Sequence, residues 1–209
     1  MSDFPNSTDV LFQEENNSDY GAWVKNPADK FFLYSQGYLA AANLIYNSID
    51  ESAVLQNTLV YPMIFNYRQF LELRLKELSF IGNKYLGLDR DFKEVHFLKE
   101  LWNEYKNNIL SELEPDLDPV LLENAERLID EFETEDPKSM NYRFPHQKLA
   151  KGASPSTRKE SLSRQTLDLK NFKATIDKLI HFLDIRWEVM DINQTMRDEY
   201  LSDMRESLY

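Results

Sequence analysis

The chain has 209 residues, of which 42% are hydrophobic and 29% charged, and its formal net charge at pH 7 is −12. Such a charge opposes general binding to DNA and to anionic membrane surfaces. The absence of cysteine excludes a disulfide framework and a thiol nucleophile, and no apolar run is long enough to predict a membrane span. Because the N-terminal residues also lack the pattern of a secretory signal, we expect a cytoplasmic protein.

The first 25 residues are polar and acidic without any periodicity, which predicts a flexible N-terminal arm. From residue 26 onward, apolar residues recur at helical spacing as far as residue 189, which predicts a helical bundle domain. Its first helix begins near Asn26 and ends near Ile49. The stretch 54–82 is apolar nearly all round, as is typical of a helix surrounded by others, so we expect it to be the central helix.

Three more periodic stretches follow, at about residues 96–110, 119–132 and 168–189. In residues 190–209 apolar residues recur every four positions, which predicts an amphipathic C-terminal tail helix that either docks on the bundle or pairs with a second copy. The predicted fold class is therefore all-α, with about five bundle helices and the tail helix.

The central helix carries Arg68 and Glu72 four residues apart, at the edge of its main apolar stripe. Charges in such a setting require partners. One interpretation is an internal ion pair that fixes packing, and the other is a polar pocket in which Arg68 binds phosphate or another anion. We expect Arg74 and Lys76 to be solvated.

A basic loop over residues 141–165 follows an acidic segment over residues 111–137. The acidic segment contains eleven acidic residues and one basic residue, Arg127, whereas the loop contains six Lys or Arg and one acidic residue, Glu160. One interpretation is an anion site, and the other is that the loop folds against the acidic segment. The candidate anion-binding or partner-binding residues of the loop are Arg143, His146, Lys148, Lys151, Arg158 and Lys159.

Familiar catalytic motifs are missing from the sequence. There is no CxxC, HExxH, GxSxG, GxGxxG or GxxxxGK[ST], and the three histidines are too far apart to show metal-ligand spacing. The acidic run from Glu131 to Asp136 does not match a calcium loop, and we expect it to be a solvated face. The sequence therefore predicts neither a metal nor a cofactor.

Arg90 and His96 form the one arrangement with a specific chemical interpretation. An arginine that stabilises a phosphate and a histidine that moves a proton are the groups needed for metal-independent RNA cleavage. The alternative is that His96 caps or packs at the start of a helix.

Three blocks resemble a group of bacterial and phage-associated helical proteins that are similar to the HEPN superfamily. Residues 61–76 read YPMIFNYRQFLELRLK, against a family pattern of about YP-x2-F-x-YRH-x2-EL-x-LK. Residues 96–102 read HFLKELW, similar to GHDLKKLW, and residues 136–145 read DPKSMNYRFP, similar to D-P-x-S-x3-R-Y-P. The blocks occur in the family's order within about residues 28–188, although Gln69 stands where relatives often have histidine.

The resemblance implies a helical bundle that is often a homodimer, with metal-independent RNases among the active members. Those RNases carry R-x4-6-H, a spacing that here only Arg90 and His96 have. We expect a binding module rather than an enzyme, in a bacterial defence or toxin–antitoxin setting, that holds a protein or an RNA or nucleotide partner through Arg68, Glu72 and the basic loop. The alternatives are an RNase that uses Arg90 and His96 and a structural oligomerisation module.

Overall fold

The computed structural model describes residues 4–14, 21–22, 24, 30–49 and 52–206. Five main helices account for most of this part of the chain, and it contains no β-strand, so the all-α prediction is confirmed. The helices are α1 (Lys30–Ser48), α2 (Ala53–Tyr85), α3 (Leu98–Tyr105), α4 (Pro119–Glu135) and α5 (Leu169–Glu206).

The chain divides into two compact units, residues 1–30 and residues 31–209. In the first unit, a local turn forms where the Asn6 side-chain oxygen accepts a hydrogen bond from the Thr8 N–H at 2.9 Å. The Asn6 N–H in turn donates to Asp9 at 2.7 Å. Residues 26–29, where a helix start is predicted, lie outside the described residues, as does much of the predicted arm.

In the second unit, α2 is the central helix that its sequence predicts. It packs against both α3 and α5, and its buried residues run from Met63 to Asn83 on every side of the helix. Pro62 lies inside α2, one turn before Asn66, whose side-chain amide donates to the Pro62 carbonyl at 2.7 Å. The core includes Tyr67, Phe70, Leu71, Leu75, Leu78, Leu101, Trp102, Tyr105, Ile129, Leu179 and Leu183.

The helix that begins with α3 does not end at Tyr105. It continues through a π-helical turn, Lys106–Leu110, and a last α-helical turn, Ser111–Leu113. A π turn holds one residue more than an α turn, and here both Ile109 and Leu110 are buried. Gly82 of α2 faces this turn, and a Cβ placed on it would lie 2.3 Å from Ile109 Cγ2. The close approach of the two helices therefore requires glycine at this position.

Two helices begin with aspartate caps. The Asp118 side chain accepts from the Val120 N–H at 2.9 Å and precedes Pro119, the first residue of α4. The Asp168 side chain accepts from the N–H groups of Lys170 and Asn171, both at 3.0 Å, at the start of α5. Such bonds satisfy N–H groups that have no partner inside the helix.

Helix α5 continues without a break across residue 190, where the sequence predicts a separate tail helix. The side chains of Ile192 and Met196 are exposed, so at these positions the tail does not dock on the bundle. Residues 207–209 lie outside the described residues. Among the helices that the structure describes, none is both long and apolar enough to cross a membrane.

Candidate functional site

A cluster of buried charges lies where α2 meets the start of α3 and the end of α4; we call it the Arg68 cluster. Its members are Arg68, Glu72, Lys76, His96 and Glu133. The side chain of Arg68 is 0% exposed, and its Nη1 lies 3.3 Å from Glu72 Oε2, one helical turn away. Its Nη2 donates to the His96 backbone carbonyl at 2.5 Å. Of the two interpretations of Arg68 and Glu72, the internal ion pair is the one that this geometry shows.

The other oxygen of Glu72 has two partners. Glu72 Oε1 accepts from Lys76 Nζ at 2.8 Å and lies 2.8 Å from His96 Nδ1. A carboxylate oxygen can only accept, so His96 Nδ1 is the donor when Glu72 takes part in this contact as a carboxylate. The imidazole is thus held by a carboxylate, while its side chain is 71% exposed.

Glu133 connects α4 to both neighbours. Its Oε2 lies 3.7 Å from Arg68 Nη2 and accepts from the Leu98 N–H at 2.7 Å, which caps the start of α3. Burial raises the pKa of the Glu133 carboxyl, and the Leu98 N–H and Arg68 oppose that shift. Burial also lowers the pKa of the Arg68 guanidinium, against the opposing effect of Glu72 and Glu133. Two carboxylates on different helices therefore neutralise one buried arginine.

This arrangement corrects the interpretation of Arg68 and Glu72 as an anion site. An anion that approached Arg68 would find no exposed guanidinium atom and would have to displace two carboxylates. Taking a further charge into such a setting costs several kcal/mol. The Arg68 cluster holds helices together and is not open to a ligand, apart from the exposed ring of His96.

Beside the cluster, Gln69 Nε2 donates to Ser139 Oγ at 2.7 Å. Ser139 follows Lys138 in a short 3-10 turn, and both residues have positive φ angles, 57° and 62°. The turn is held by Asp136, whose Oδ1 accepts from the Asn141 N–H at 2.7 Å, and burial raises the pKa of the Asp136 carboxyl. Gln69 thus has a positioning contact with this turn.

Arg74 and Lys76 are buried, so the prediction that they are solvated is wrong. Arg74 Nη1 lies 2.8 Å from Glu77 Oε2, and Arg74 Nη2 lies 3.1 Å from Asp184 Oδ1 of α5. The guanidinium carbon also lies 4.9 Å from the centroid of the Trp187 ring. Burial raises the pKa of the Asp184 carboxyl, which Arg74 opposes. A second buried ion cluster therefore joins α2 to α5.

Arg90 and His96 lie in the segment 86–97 between α2 and α3, where residues 88–97 have no regular secondary structure. Arg90 is exposed, and in the described part of the chain it forms no ion pair or hydrogen bond, with His96 or with any other residue. The structure therefore places the R-x5-H sequence on an extended connector and not along one helix face.

The basic loop is open to solvent over most of its length. Its two arms meet where the Gln147 N–H donates to the Lys159 carbonyl at 2.9 Å and the Ser161 N–H donates to the Pro145 carbonyl at 3.1 Å. A single antiparallel bridge also pairs His146 with Glu160. All six candidate residues are exposed, and within the described ranges none of them makes an ion pair; they are Arg143, His146, Lys148, Lys151, Arg158 and Lys159.

Aromatic rings lie at the base of the loop. The Arg143 guanidinium carbon is 5.6 Å from the Phe65 ring centroid and 5.3 Å from that of Phe144, whose side chain is exposed. A cleft of 1150 Å³ lies beside the end of the loop, between the α1–α2 junction and the start of α5. Its lining includes three tyrosines and several amides: Tyr46, Tyr61, Tyr142, Asn47, Gln56, Asn57 and Gln165.

Two of the counter-charges of the acidic segment lie on α3 and on the π turn that continues it. Lys99 Nζ lies 2.8 Å from Asp130 Oδ2, and Lys106 Nζ lies 2.7 Å from Glu126 Oε2. The basic loop meets this segment only near its own ends, where Arg164 lies 3.4 Å from Glu135. The interpretation that the loop folds against the acidic segment therefore applies to those ends and not to the exposed bases between them.

The acidic run at the end of α4 is only partly a solvated face. Glu131 is exposed, as expected, whereas Glu133 and Asp136 turn inward toward Arg68. Within the described residues, no group of three or more His, Cys, Asp or Glu side chains is placed to hold a metal ion.

Comparisons with known proteins do not assign a function to the Arg68 cluster or to the basic loop. No family model, no curated protein and no solved structure matches the chain. Functional inference therefore depends on the contacts described above.

Proposed function

We propose that this chain is a HEPN-like helical protein that binds an anionic, phosphate-bearing partner through its basic loop and does not act as an enzyme. The observation that carries the proposal is that the six candidate residues of the loop are exposed and make no ion pair in the described part of the chain. On a chain of net charge −12, such a concentration of free positive charge favours a specific anionic partner over general adhesion.

Aromatic rings beside the bases favour RNA or a nucleotide as that partner. Exposed Lys and Arg contact phosphates, and aromatic rings stack on bases without requiring a particular sequence. Phe144 and Tyr61 are exposed near the Arg143 end of the loop and on the cleft wall, respectively. We further propose that the protein acts in the cytoplasm as a homodimer, in a bacterial defence or toxin–antitoxin setting. The alternative is an acidic protein partner, and the following experiment distinguishes it from RNA.

Fluorescence anisotropy with a labelled single-stranded RNA and a labelled acidic peptide tests this proposal. We expect the RNA to bind more tightly than the peptide and its affinity to fall steeply between 50 and 200 mM salt. Replacement of Lys148, Lys151 and Lys159 with Ala should weaken RNA binding about tenfold, because each substitution removes a phosphate contact. No binding of RNA at 50 mM salt would contradict the proposal. Tighter binding of the peptide than of the RNA would indicate that the partner is an acidic protein.

A triple variant elsewhere provides a control of equal charge. Lys84, Lys93 and Lys178 are exposed and lie outside the basic loop. Their replacement with Ala removes the same three charges, so an equal loss of affinity in both triple variants would show that only the net charge matters and not the loop.

A second candidate is the metal-independent RNase, and one observation favours it. Glu72 holds His96 through Nδ1 while the ring remains largely exposed, an orientation typical of a histidine that transfers protons through its other nitrogen. If the binding proposal is right, purified protein leaves total RNA intact. Cleavage of RNA by the wild-type protein that is lost in both Arg90→Ala and His96→Ala would show that the protein is an RNase, and would contradict the binding proposal.

A further inference from the structure

Residues from both ends of the basic loop line the 1150 Å³ cleft. Tyr142 lines it at the first end of the loop, and Leu162 and Gln165 line it at the second. The two ends are held together, since the Ser161 N–H donates to the Pro145 carbonyl at 3.1 Å. The cleft is therefore continuous with the surface that carries the exposed basic residues of the loop.

The size of the cleft fits a segment of a polymer. It is an opening between the end of α1, the first turns of α2 and the start of α5. Its volume of 1150 Å³ exceeds the range of about 300–1,000 Å³ that is usual for small-molecule sites. A few units of a chain molecule therefore fit the cleft better than one small ligand does.

The charges of the cleft admit a polyanion. Of the described residues that line it, Asp168 is the one acidic residue, and its carboxylate accepts from the N–H groups of Lys170 and Asn171 at 3.0 Å. Lys170 and Arg164 place positive charge on the same walls. Lys170 is exposed and makes no ion pair with a described residue, whereas Arg164 pairs with Glu135 at 3.4 Å. Phosphates can therefore continue from the loop into the cleft.

Free amide groups in the cleft match the edges of nucleobases. Asn47, Asn57 and Gln165 line the cleft and are exposed, and none of their side chains forms a hydrogen bond with a described residue. An amide side chain presents an acceptor oxygen beside a donor NH2 group. Single-stranded RNA is recognised through such contacts to the Watson–Crick edges of its bases. The three amides therefore offer partners that a phosphate chain without bases cannot use.

Tyr61 supplies a ring on which a nucleobase can stack. Tyr61 is 46% exposed, and its ring centroid lies 6.4 Å from that of Tyr142. Tyr142 is buried, and its hydroxyl donates to Glu135 Oε1 at 3.1 Å, so it forms a fixed support behind the Tyr61 ring. Aromatic rings beside hydrogen-bonding groups hold the unstacked bases of single strands in many RNA-binding proteins.

From these features we infer that the cleft receives the nucleobases of a single RNA strand whose phosphates lie on the basic loop. The inference rests on the proposed function and adds a selectivity to it. Phosphate contacts alone favour a duplex, which carries about twice the charge of one strand per unit length. The bases of a duplex are paired and stacked, so they cannot enter the cleft. The protein therefore prefers a single strand to a duplex.

Fluorescence anisotropy of the full chain with one short labelled RNA, as a single strand and as a duplex with its complement, tests this preference. We expect the single strand to bind about tenfold more tightly at equal salt, because stacking of one base has that magnitude. A duplex that binds as tightly as the single strand, or more tightly, would overturn the inference.

Inorganic polyphosphate, which resembles the RNA backbone in charge but has no bases, distinguishes the cleft from the loop. Tyr61→Ala and the double variant Asn47→Ala/Asn57→Ala should each weaken binding of the single strand about tenfold. Their affinity for polyphosphate, measured by competition, should stay unchanged. The control is Tyr34→Ala/Asn124→Ala, which removes an exposed tyrosine and an exposed amide outside the cleft and should alter neither affinity. Far-UV circular dichroism confirms that all variants are folded.

Each other result contradicts the inference. Equal losses of RNA and polyphosphate binding in the cleft variants would show that the cleft only supports the loop, and no loss of RNA binding would show that bases do not enter it. Failure of the proposed function gives a different result, because neither form of RNA nor polyphosphate then binds the wild-type protein. Polyphosphate binding without a preference for the single strand would contradict the base-binding cleft alone.

Discussion

Replacement of Glu72 with Gln tests whether the Arg68 cluster stabilises the fold. The substitution preserves shape but removes the carboxylate that faces Arg68 Nη1 at 3.3 Å, Lys76 Nζ at 2.8 Å and His96 Nδ1 at 2.8 Å. Removal of one partner from a buried ion pair costs about 3–5 kcal/mol. Here Arg68 keeps Glu133 at 3.7 Å and the His96 carbonyl at 2.5 Å, and the new amide oxygen still accepts one hydrogen bond. The expected loss in the free energy of unfolding is therefore about 2–3 kcal/mol, at or below the lower end of that range.

Urea denaturation followed by circular dichroism measures this loss, provided that the slope of the unfolding free energy with urea is unchanged. Glu131→Gln is the matched control, because Glu131 pairs with Arg127 at 3.7 Å on the surface of α4. An exposed pair of this kind contributes about 0–1 kcal/mol. If Glu72→Gln and Glu131→Gln cost the same, then the buried cluster does not stabilise the protein and our reasoning about it is refuted.

Three further predictions concern packing, pH and capping. Gly82→Ala should cost about 2 kcal/mol through its clash with Ile109, and Ile109→Ala should relieve part of that clash in the double variant, as urea denaturation will show. Thermal unfolding should occur at higher temperature as the pH falls from 8 toward 5. Burial raises the folded-state pKa of several carboxyls above the unfolded value of about 4, so the folded chain binds more protons in that window and the stability is lost as the pH rises through the folded pKa. The carboxyls concerned are those of Glu104, Glu133, Asp136 and Asp184. A flat or falling unfolding temperature over this range would contradict the prediction. Asp168→Ala should cost about 1 kcal/mol in thermal or urea unfolding because it removes the cap of α5, and an unchanged stability would show that water replaces the cap.

The helices themselves could be predicted from periodicity, and the reason is visible in α2. Its stripe of Ile64, Tyr67, Leu71, Leu75 and Leu78 is buried, as the 3.6-residue repeat requires. Helix ends were harder to predict, because the contacts that set them come from distant residues. For example, α3 begins at Leu98 and not at His96, since Glu133 of α4 accepts the Leu98 N–H.

The buried charges were predicted only where both partners lie in one helix. Arg68 and Glu72 are four residues apart, so their contact follows from helix geometry. The same spacing joins Lys76 to Glu72, and a spacing of three joins Arg74 to Glu77, which is a signal that could have predicted their burial. No local pattern indicates that Glu133 or Asp184 reaches the same clusters from other helices.

The basic loop differs from the buried charges in what the sequence could predict. Its positive charge followed from composition, but its conformation and the exposure of its bases did not, because a segment without periodicity gives no local signal for the contacts of its arms. The pairing of Gln147 with Lys159, and the ion pair of Arg164 with Glu135 at the end of α4, join positions that are far apart in the sequence. Composition therefore located the candidate site, and the structure was needed to show which of its bases are free.

The π turn at Lys106–Leu110 has a consequence for how this sequence can change over evolutionary time. Loss of one residue there would restore an ordinary α-helical turn and leave the helix after it nearly in phase, because a π turn takes up one extra residue within a single turn. If the lost residue were Ile109, whose side chain a Cβ at position 82 would meet, a larger residue at position 82 would become tolerable. We expect the length of this turn and the glycine opposite it to be inherited together, so that descendants of this sequence keep both or lose both.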